Sequence, residues 1–287
     1  MLRVATFNVN GIRAAARRGF GPWLAAGGCD VVALQEVRCP APALPECVFG
    51  DLVLSYDSGD RAGRNGVAVL TREPPAAVRT WRTARPLARS LREFADEGRY
   101  LEVDLADRPL TVASLYLPKG GLPAHLQTAG RSREAPDGGA RYARKMRFLD
   151  GLARQLTWSR RRAAADGREF LLLGDLNIAH TPLDVVAWRR QTKVEGFLPE
   201  ERCWLDDLLG PRRLVDVVRR VNPETQGPYS WWSWLGDCFA NDTGWRIDYH
   251  LATPGPARTA IGEGTDRPVS AAARLSDHAP VIVDYAV

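Results

Sequence analysis

The sequence predicts an α/β protein built on a large sheet system, and three observations carry that reading. Strand-sized apolar runs recur from one end of the chain to the other. One long segment has helical rather than strand periodicity. Two of the strand-like runs, "VATFNVN" and "LLLGDLNIA", echo each other: each is an apolar strand ending in a short polar cluster that contains asparagine, as suits a sandwich of two similar halves.

The strand-like runs are "LRVATFN" at 2–8, "VVALQEV" at 31–37, "GVAVLTR" at 66–72, "RYLEVDL" at 99–105, "LTVASLYL" at 110–117, "FLLLGDLN" at 170–177, "RIDYHLA" at 246–252 and "APVIVDYA" at 279–286. Many are rich in β-branched or aromatic residues, the composition of strands that pack on at least one face. From 141 to 165, Tyr142, Met146, Leu149, Leu152 and Leu156 recur at helical spacing with arginines between them. Shorter helices are expected at 20–26, 199–209 and 214–221. In "GFLPEERCWLDDLLG" the helix opens on Pro199, places Glu200 and Glu201 at the positive end of its dipole, and closes at Gly210 before Pro211. The irregular stretch 119–139 reads as one long surface loop rather than a domain boundary. No Ser/Gly linker divides the chain, so residues 1–287 are read as one domain.

Composition narrows the function classes. With 287 residues and 45% hydrophobic residues, the chain can bury a substantial core, which argues against overall disorder. "MLRVATFN" lacks a charged leader with an apolar h-region, and no run approaches the roughly 18 apolar residues of a membrane helix. Cys29, Cys39, Cys47, Cys203 and Cys238 are odd in number and scattered, unlike a zinc site or a secreted disulfide framework. A cytoplasmic protein is expected. The net charge of +5 is almost wholly arginine, since the only lysines are Lys119, Lys145 and Lys193. A pI near 9.1 favours a polyanionic partner.

Polar residues collect at strand ends: Asn8 and Asn10, Glu36, Asp175 and Asn177, Asp248, and Asp277 with His278. Each alone reads as a cap or turn residue. The set reads differently, because burying Glu36, Asp175, Asp248 and Asp277 together gains little stability without a cation or hydrogen-bond partners. Carboxylate and amide oxygens suit a hard cation such as Mg²⁺, which keeps waters and binds substrate phosphate. Hydrolysis of a phosphate ester is the natural reaction. A serine-hydrolase triad from Ser276, His278 and Asp248 is the competing constellation, although no G-x-S-x-G elbow occurs.

The ordered motifs "FNVNGIR", "LQEVR", "LYLP", "GDLNIAH", "YSWWSW", "GWRIDYHL" and "SDHAP" resemble the exonuclease III family of Mg²⁺-dependent abasic-site endonucleases over essentially the whole chain. "GDLN" and "SDHAP" alone indicate only the wider endonuclease, exonuclease and phosphatase superfamily. The resemblance implies a four-layered α/β sandwich, with two mixed β-sheets packed face to face and helices outside, the DNase I-like fold. It implies Glu36 as principal metal ligand with Asn10 and Asp277 near the metal, and Asp175 as the group that positions or deprotonates the attacking water. Asn177 and Tyr116 would hold the phosphate or its developing charge, and His278 would bind a phosphate oxygen while Asp248 fixes its tautomer. Asn8, Arg13, Arg38 and Lys119 would contact phosphate or DNA, and Trp231, Trp245 and Ile247 would form the pocket for an extruded abasic sugar.

The implied cofactor is Mg²⁺, with Mn²⁺ as a substitute. The implied partner is double-stranded DNA carrying abasic sites or blocked 3′ ends, met by a monomer at the nucleoid. Val37 and Arg38 stand where many relatives have threonine and lysine, and Lys119 where small or amide residues are frequent; none of these removes a presumed catalytic group. Two further readings stay open: a superfamily enzyme acting on RNA, lipid or inositol phosphates, and a nucleic-acid-binding member without catalysis.

Overall fold

The computed structural model describes residues 1–128 and 135–286. Their strands, in chain order, are β1 (Leu2–Asn8), β2 (Val31–Gln35), β3 (Val53–Asp57), β4 (Val67–Thr71), β5 (Ala77–Thr80), β6 (Tyr100–Asp104), β7 (Leu110–Tyr116), β8 (Glu169–Asp175), β9 (Val215–Asp216), β10 (Asp248–Ala252), β11 (Ala260–Thr265) and β12 (Val281–Tyr285). The helices are α1 (Ile12–Arg17), α2 (Phe20–Gly27), α3 (Ala140–Ala165), α4 (Trp188–Gln191), α5 (Pro199–Leu208), α6 (Val217–Val221) and α7 (Pro254–Thr259).

The strands form two six-stranded sheets, ordered β11-β12-β1-β2-β4-β3 and β5-β6-β7-β8-β10-β9. Read from β11 and from β5, the two orders match pairing for pairing and in the order in which the chain visits the strands. Each sheet has a single parallel pair, β1 with β2 and β7 with β8, and every other pairing is antiparallel. The short echo between "VATFNVN" and "LLLGDLNIA" falls on β1 and β8, which are not the equivalent strands of the two halves: β1 corresponds to β7 and β2 to β8.

Alternation along the strands builds the layers. Leu2 and Val4 of β1, Val31 and Ala33 of β2, and Leu171 and Leu173 of β8 meet between the sheets. The opposite faces of β1 and β2 pack Ala5, Phe7, Val32 and Leu34 against Ile12 and Phe20 of α1 and α2. On the other sheet, Phe170 and Leu172 meet Phe148, Leu152 and Leu156 of α3. The result is helix, sheet, sheet, helix.

The stretch expected as a helix at 214–221 is divided. Val215 and Asp216 pair with Ala252 and Leu251 at a sheet edge, and the helix begins at Val217, where the Asp216 side chain accepts the Arg219 amide at 3.1 Å. The 3₁₀ turn Ala124–Leu126 lies in the irregular stretch 119–139, of which 129–134 are outside the described residues. Among the described residues, no helix is long and apolar enough to cross a membrane.

Candidate active site

The parallel pairs decide where the polar residues meet. Strands β1, β2, β7 and β8 all end at one pole of the sandwich, and their antiparallel neighbours β10 and β12 begin there. Tyr116 lies opposite Asp175, and Asp175 opposite Asp248, in consecutive strand pairings. Along β1 the inward positions change from Leu2 and Val4 to Thr6 and Asn8 as this pole is approached. The layer between the sheets turns polar accordingly: Thr6 Oγ1 donates to Gln35 Oε1 at 3.2 Å, and Gln35 Nε2 donates across to Ser114 Oγ at 3.0 Å.

Asn8 joins the two sheets chemically. Its Nδ2 donates to Glu36 Oε1 at 2.8 Å and to Asp175 Oδ2 at 2.9 Å, while its Oδ1 accepts the Asn10 amide at 3.0 Å. One ligand atom from each of Glu36, Asp175 and His278 falls within a 4.8 Å group. Arg38 Nη2 donates to Glu36 Oε2, and the Glu36 charge keeps the guanidinium pKa above its usual value although burial works against it. Burial raises the Asp175 carboxyl well above the usual range, reinforced by the negative charges of Asp248 and Glu36 and opposed by His278.

His278 lies between carboxylates. Its Nδ1 is 2.8 Å from Asp248 Oδ2, and its Nε2 is 3.7 Å from Asp175 Oδ2. Burial alone would lower the imidazole pKa, but Asp248 and then Asp175 outweigh it and raise it to about 10. Asp277 receives Asn10 Nδ2 at 2.7 Å on one oxygen and Trp231 Nε1 at 3.1 Å on the other. Burial pushes its pKa up, yet His278, Asn10 and Trp231 together hold it below the usual value. Ser276 is fully buried, with its Oγ on Asp277 at 3.2 Å and on the His278 amide at 3.3 Å. The imidazole nitrogens point instead to Asp248 and Asp175, which removes the support for a Ser-His-Asp triad.

Four residues of this pole hold left-handed backbone without being glycine: Asn10, Glu36, Arg38 and Asn177, with φ of 45°, 51°, 52° and 49°. Such conformations cost about 1–3 kcal/mol each and collect at functional sites. Asn177 shows what holds one in place. Its amide hydrogen reaches Asp175 Oδ1 at 2.8 Å, and its Nδ2 donates to Leu117 O at 2.9 Å and more weakly to Asp175 Oδ2 at 3.3 Å.

These groups open into a recess of about 370 Å³ whose lining includes Glu36, Asp175, Asn177, His278, Tyr116 and Asp277, with Trp231, Trp245 and Ile247 on the same wall. Phe197 meets Trp245 edge-on at 6.5 Å, and Val185 and Ala179 back Ile247, so the aromatic wall is anchored in its own small apolar cluster. The Tyr116 phenol pKa is pushed well above its usual value by burial and by the charges of Glu36 and Asp175. Arg38 and Lys119 line the recess, and Lys119 Nζ is 3.5 Å from Glu195 Oε1. Asn8, Asn10 and Asp248 support it from behind, whereas Arg13 is exposed on α1 and does not line it.

Sequence reasoning overlooked Ser230, Val194, Glu195 and Gly196. Ser230 Oγ accepts the amides of Ile247 and Asp248, each at 3.2 Å, and so ties the aromatic wall to the histidine's partner. Its signal was present, as the serine that opens the tryptophan cluster in "YSWWSW". The 194–196 segment carries no comparable pattern.

Residues 5–278 match the model of the endonuclease/exonuclease/phosphatase family. The chain belongs to this family. Among curated relatives, it is 27% identical to exodeoxyribonuclease III of Haemophilus influenzae, over 99% of this chain and 100% of that one. It is 28% identical to the DNA repair nuclease APEX1 of Danio rerio, over 100% of this chain and 83% of that protein. The solved structure of an AP endonuclease from Archaeoglobus fulgidus superposes with a TM-score of 0.81 at 26% identity, covering 100% of both chains. The resemblance carried by the ordered motifs is borne out, as is the sandwich of two mixed sheets with helices outside. Together, the family and these relatives indicate a hydrolase of the nuclease type.

Proposed function

We propose that this protein is a DNA-repair phosphodiesterase that hydrolyses the backbone 5′ to abasic sites and also trims or cleans 3′ ends. The observation that carries this reading is the shared recess: the acid and histidine cluster and the wall of Trp231, Trp245 and Ile247 face the same space. A recess that sets an aromatic wall beside the acids suits a sugar extruded from a duplex.

The donor set fits Mg²⁺. Glu36 offers a carboxylate that Asn8 holds in place, Asn10 and Asp277 supply further oxygens nearby, and one oxygen of Asp175 lies in the same 4.8 Å group as one of Glu36. Glu36 would hold the cation once its contact with Arg38 is released, and Arg38, about two-fifths exposed, has room to withdraw. His278 is a poor ligand despite its proximity, because two flanking carboxylates favour its protonated form. Bound there, Mg²⁺ or Mn²⁺ supplies charge neutralisation at the phosphate.

The protein groups divide the remaining work. Asp175 accepts a proton from the attacking water as its oxygen bonds to phosphorus. The bond from phosphorus to the 3′ oxygen breaks, and that oxygen takes a proton from solvent, leaving a 3′-hydroxyl. His278 Nε2–H donates to a non-bridging oxygen, and Asp248 keeps Nδ1 protonated and the ring oriented. The Tyr116 phenol, protonated at neutral pH, donates to the same phosphate. Asn177 steers Asp175 and reaches the phosphate by exchanging its weaker 3.3 Å bond. Arg38, Lys119 and the more distant Arg13 meet the DNA backbone.

All these groups come from one chain, from Asn8 to His278, so the protein acts as a single-domain monomer on double-stranded DNA at the nucleoid. The test is cleavage of a duplex carrying one tetrahydrofuran abasic analogue, with Mg²⁺ and with EDTA, by the wild type and Glu36→Ala. Incision 5′ to the analogue that needs Mg²⁺ and Glu36 is expected; full cleavage by Glu36→Ala in EDTA rejects the metal assignment.

A further inference from the structure

Lys145 occupies the inward face of α3, where helical periodicity calls for an apolar side chain, and it has no exposed surface. Its Nζ lies 2.6 Å from Glu201 Oε1 on α5, and Glu201 is equally buried. The same ammonium donates to two backbone carbonyls, Lys119 O at 3.1 Å and Asn177 O at 3.0 Å. The other oxygen of Glu201 accepts the amides of Gly196 at 2.7 Å and Leu198 at 3.0 Å. One ion pair thus gathers three segments that are remote in sequence and together form one side of the recess: the turn after β7, the turn after β8 and the strap before α5.

The packing around the pair is close. A Cβ on Gly120, whose φ is +83°, would stand 2.6 Å from Lys145 Cδ, so the turn carrying Lys119 rests directly on the lysine stem. A Cβ on Gly196, at φ +90°, would stand 3.1 Å from Asn177 O and 3.4 Å from a Trp245 ring carbon. Gly196 is thereby wedged between the catalytic asparagine turn and the aromatic wall. A buried ion pair is rarely the most stabilising filling for such a space, since well-packed apolar residues do as well or better. What the pair supplies that leucine or methionine cannot is directional anchoring of carbonyls and amides.

We infer that Lys145 and Glu201 are positioning residues: neither touches substrate, and the pair sets the distance between the Asn177 turn, Lys119 and the Trp245 wall. The kinetic consequence rests on the nuclease reading above, whereas the structural one does not. Loss of the pair leaves the duplex bound but the scissile phosphate misplaced, and misplacement by about 1 Å is enough to slow chemistry a hundredfold.

The variants are Lys145→Met, Glu201→Gln, the double variant and Lys145→Arg. Lys145→Met alone leaves a buried unpaired carboxylate and Glu201→Gln alone a buried unpaired ammonium, so each single variant is at risk of unfolding; the double variant removes both charges. In the double variant the single-turnover incision rate is expected to fall at least about tenfold with duplex affinity little changed. The ¹⁹F resonance of 5-fluorotryptophan at position 245, assigned through Trp245→Phe, should shift or broaden. Lys145→Arg, which keeps charge and donors, should recover most of the rate. A double variant that is folded, cuts at the wild-type rate and leaves the Trp245 resonance unmoved overturns the inference. If the wild type itself cuts no DNA, the nuclease reading fails, and the resonance still decides whether the pair positions the wall.

Discussion

Gly174 immediately precedes Asp175 on β8, and replacing it by alanine tests how the site is held. Its φ of +148° lies in a region that residues with a side chain rarely adopt. An added Cβ would stand 2.0 Å from Leu115 O and 2.9 Å from Leu115 C, its register partner on β7. Both obstacles are backbone in the middle of a sheet, so no flexible side chain can swing away. Overpacking of this kind costs about 1–3 kcal/mol and the backbone strain a similar amount, which together give about 4 kcal/mol. At roughly 2 °C per kcal/mol for a chain of this size, the melting temperature should fall by about 8 °C. The clash is relieved by separating β7 from β8 at the pairing next to Tyr116 and Asp175, so incision should fall even where the variant is fully folded. Thermal melting and single-turnover incision at 25 °C measure the two effects. A Tm within 2 °C of wild type with undiminished incision would refute the reasoning.

Two further outcomes follow from the walls and the charge pattern of the recess. Trp245→Ala should relax discrimination, lowering abasic incision while sparing or raising attack on ordinary 3′ ends; a uniform fall of melting temperature, incision and exonuclease rate would make the residue ordinary core. Asp248→Asn removes the largest influence raising the His278 pKa. A group whose folded pKa lies above its unfolded value contributes stability that is complete below the unfolded pKa and lost as pH rises through the folded one. For His278 that window runs from its ordinary value of 6.5 up to about 10. In EDTA the wild-type melting temperature should therefore decline across this window, and Asp248→Asn should show a flatter decline; parallel curves would deny Asp248 that role.

The strands legible in the sequence and those missed differ by position in the sheet. The eight identified runs became β1, β2, β4, β6, β7, β8, β10 and β12, all of them interior strands. The four overlooked, β3, β5, β9 and β11, are the four edges. Interior strands covered on both faces must be continuously apolar, as the wholly buried Val67–Thr71 illustrates. An edge such as Ala77–Thr80 has no fully buried residue and leaves no such trace. On α3 the length was legible but the face was not quite: Tyr142 and Met146 are only half-buried, while Lys145 is fully buried. A lysine reads as solvent-facing until its partner is known, and Glu201 lies 56 positions away on another helix. The site residues were legible as a family pattern at strand ends. The amide bridge from Asn8 to Glu36 and Asp175 was not, because it depends on the spacing between sheets, which no local pattern encodes.

The two parallel pairings also bear on the chain before it is fully folded. A parallel pair cannot be closed by a hairpin, so β1 meets β2 only after α1 and α2 have crossed over, and β7 meets β8 only after α3 has done so. Asp277 and His278 arrive last in sequence, on the segment leading to β12, which must return to pair with β1 at the far end of the chain. No fragment can therefore assemble Asn8, Glu36, Asp175 and His278. A molecule in which β12 has not yet paired with β1 has the acids but not the constellation that the folded recess gathers.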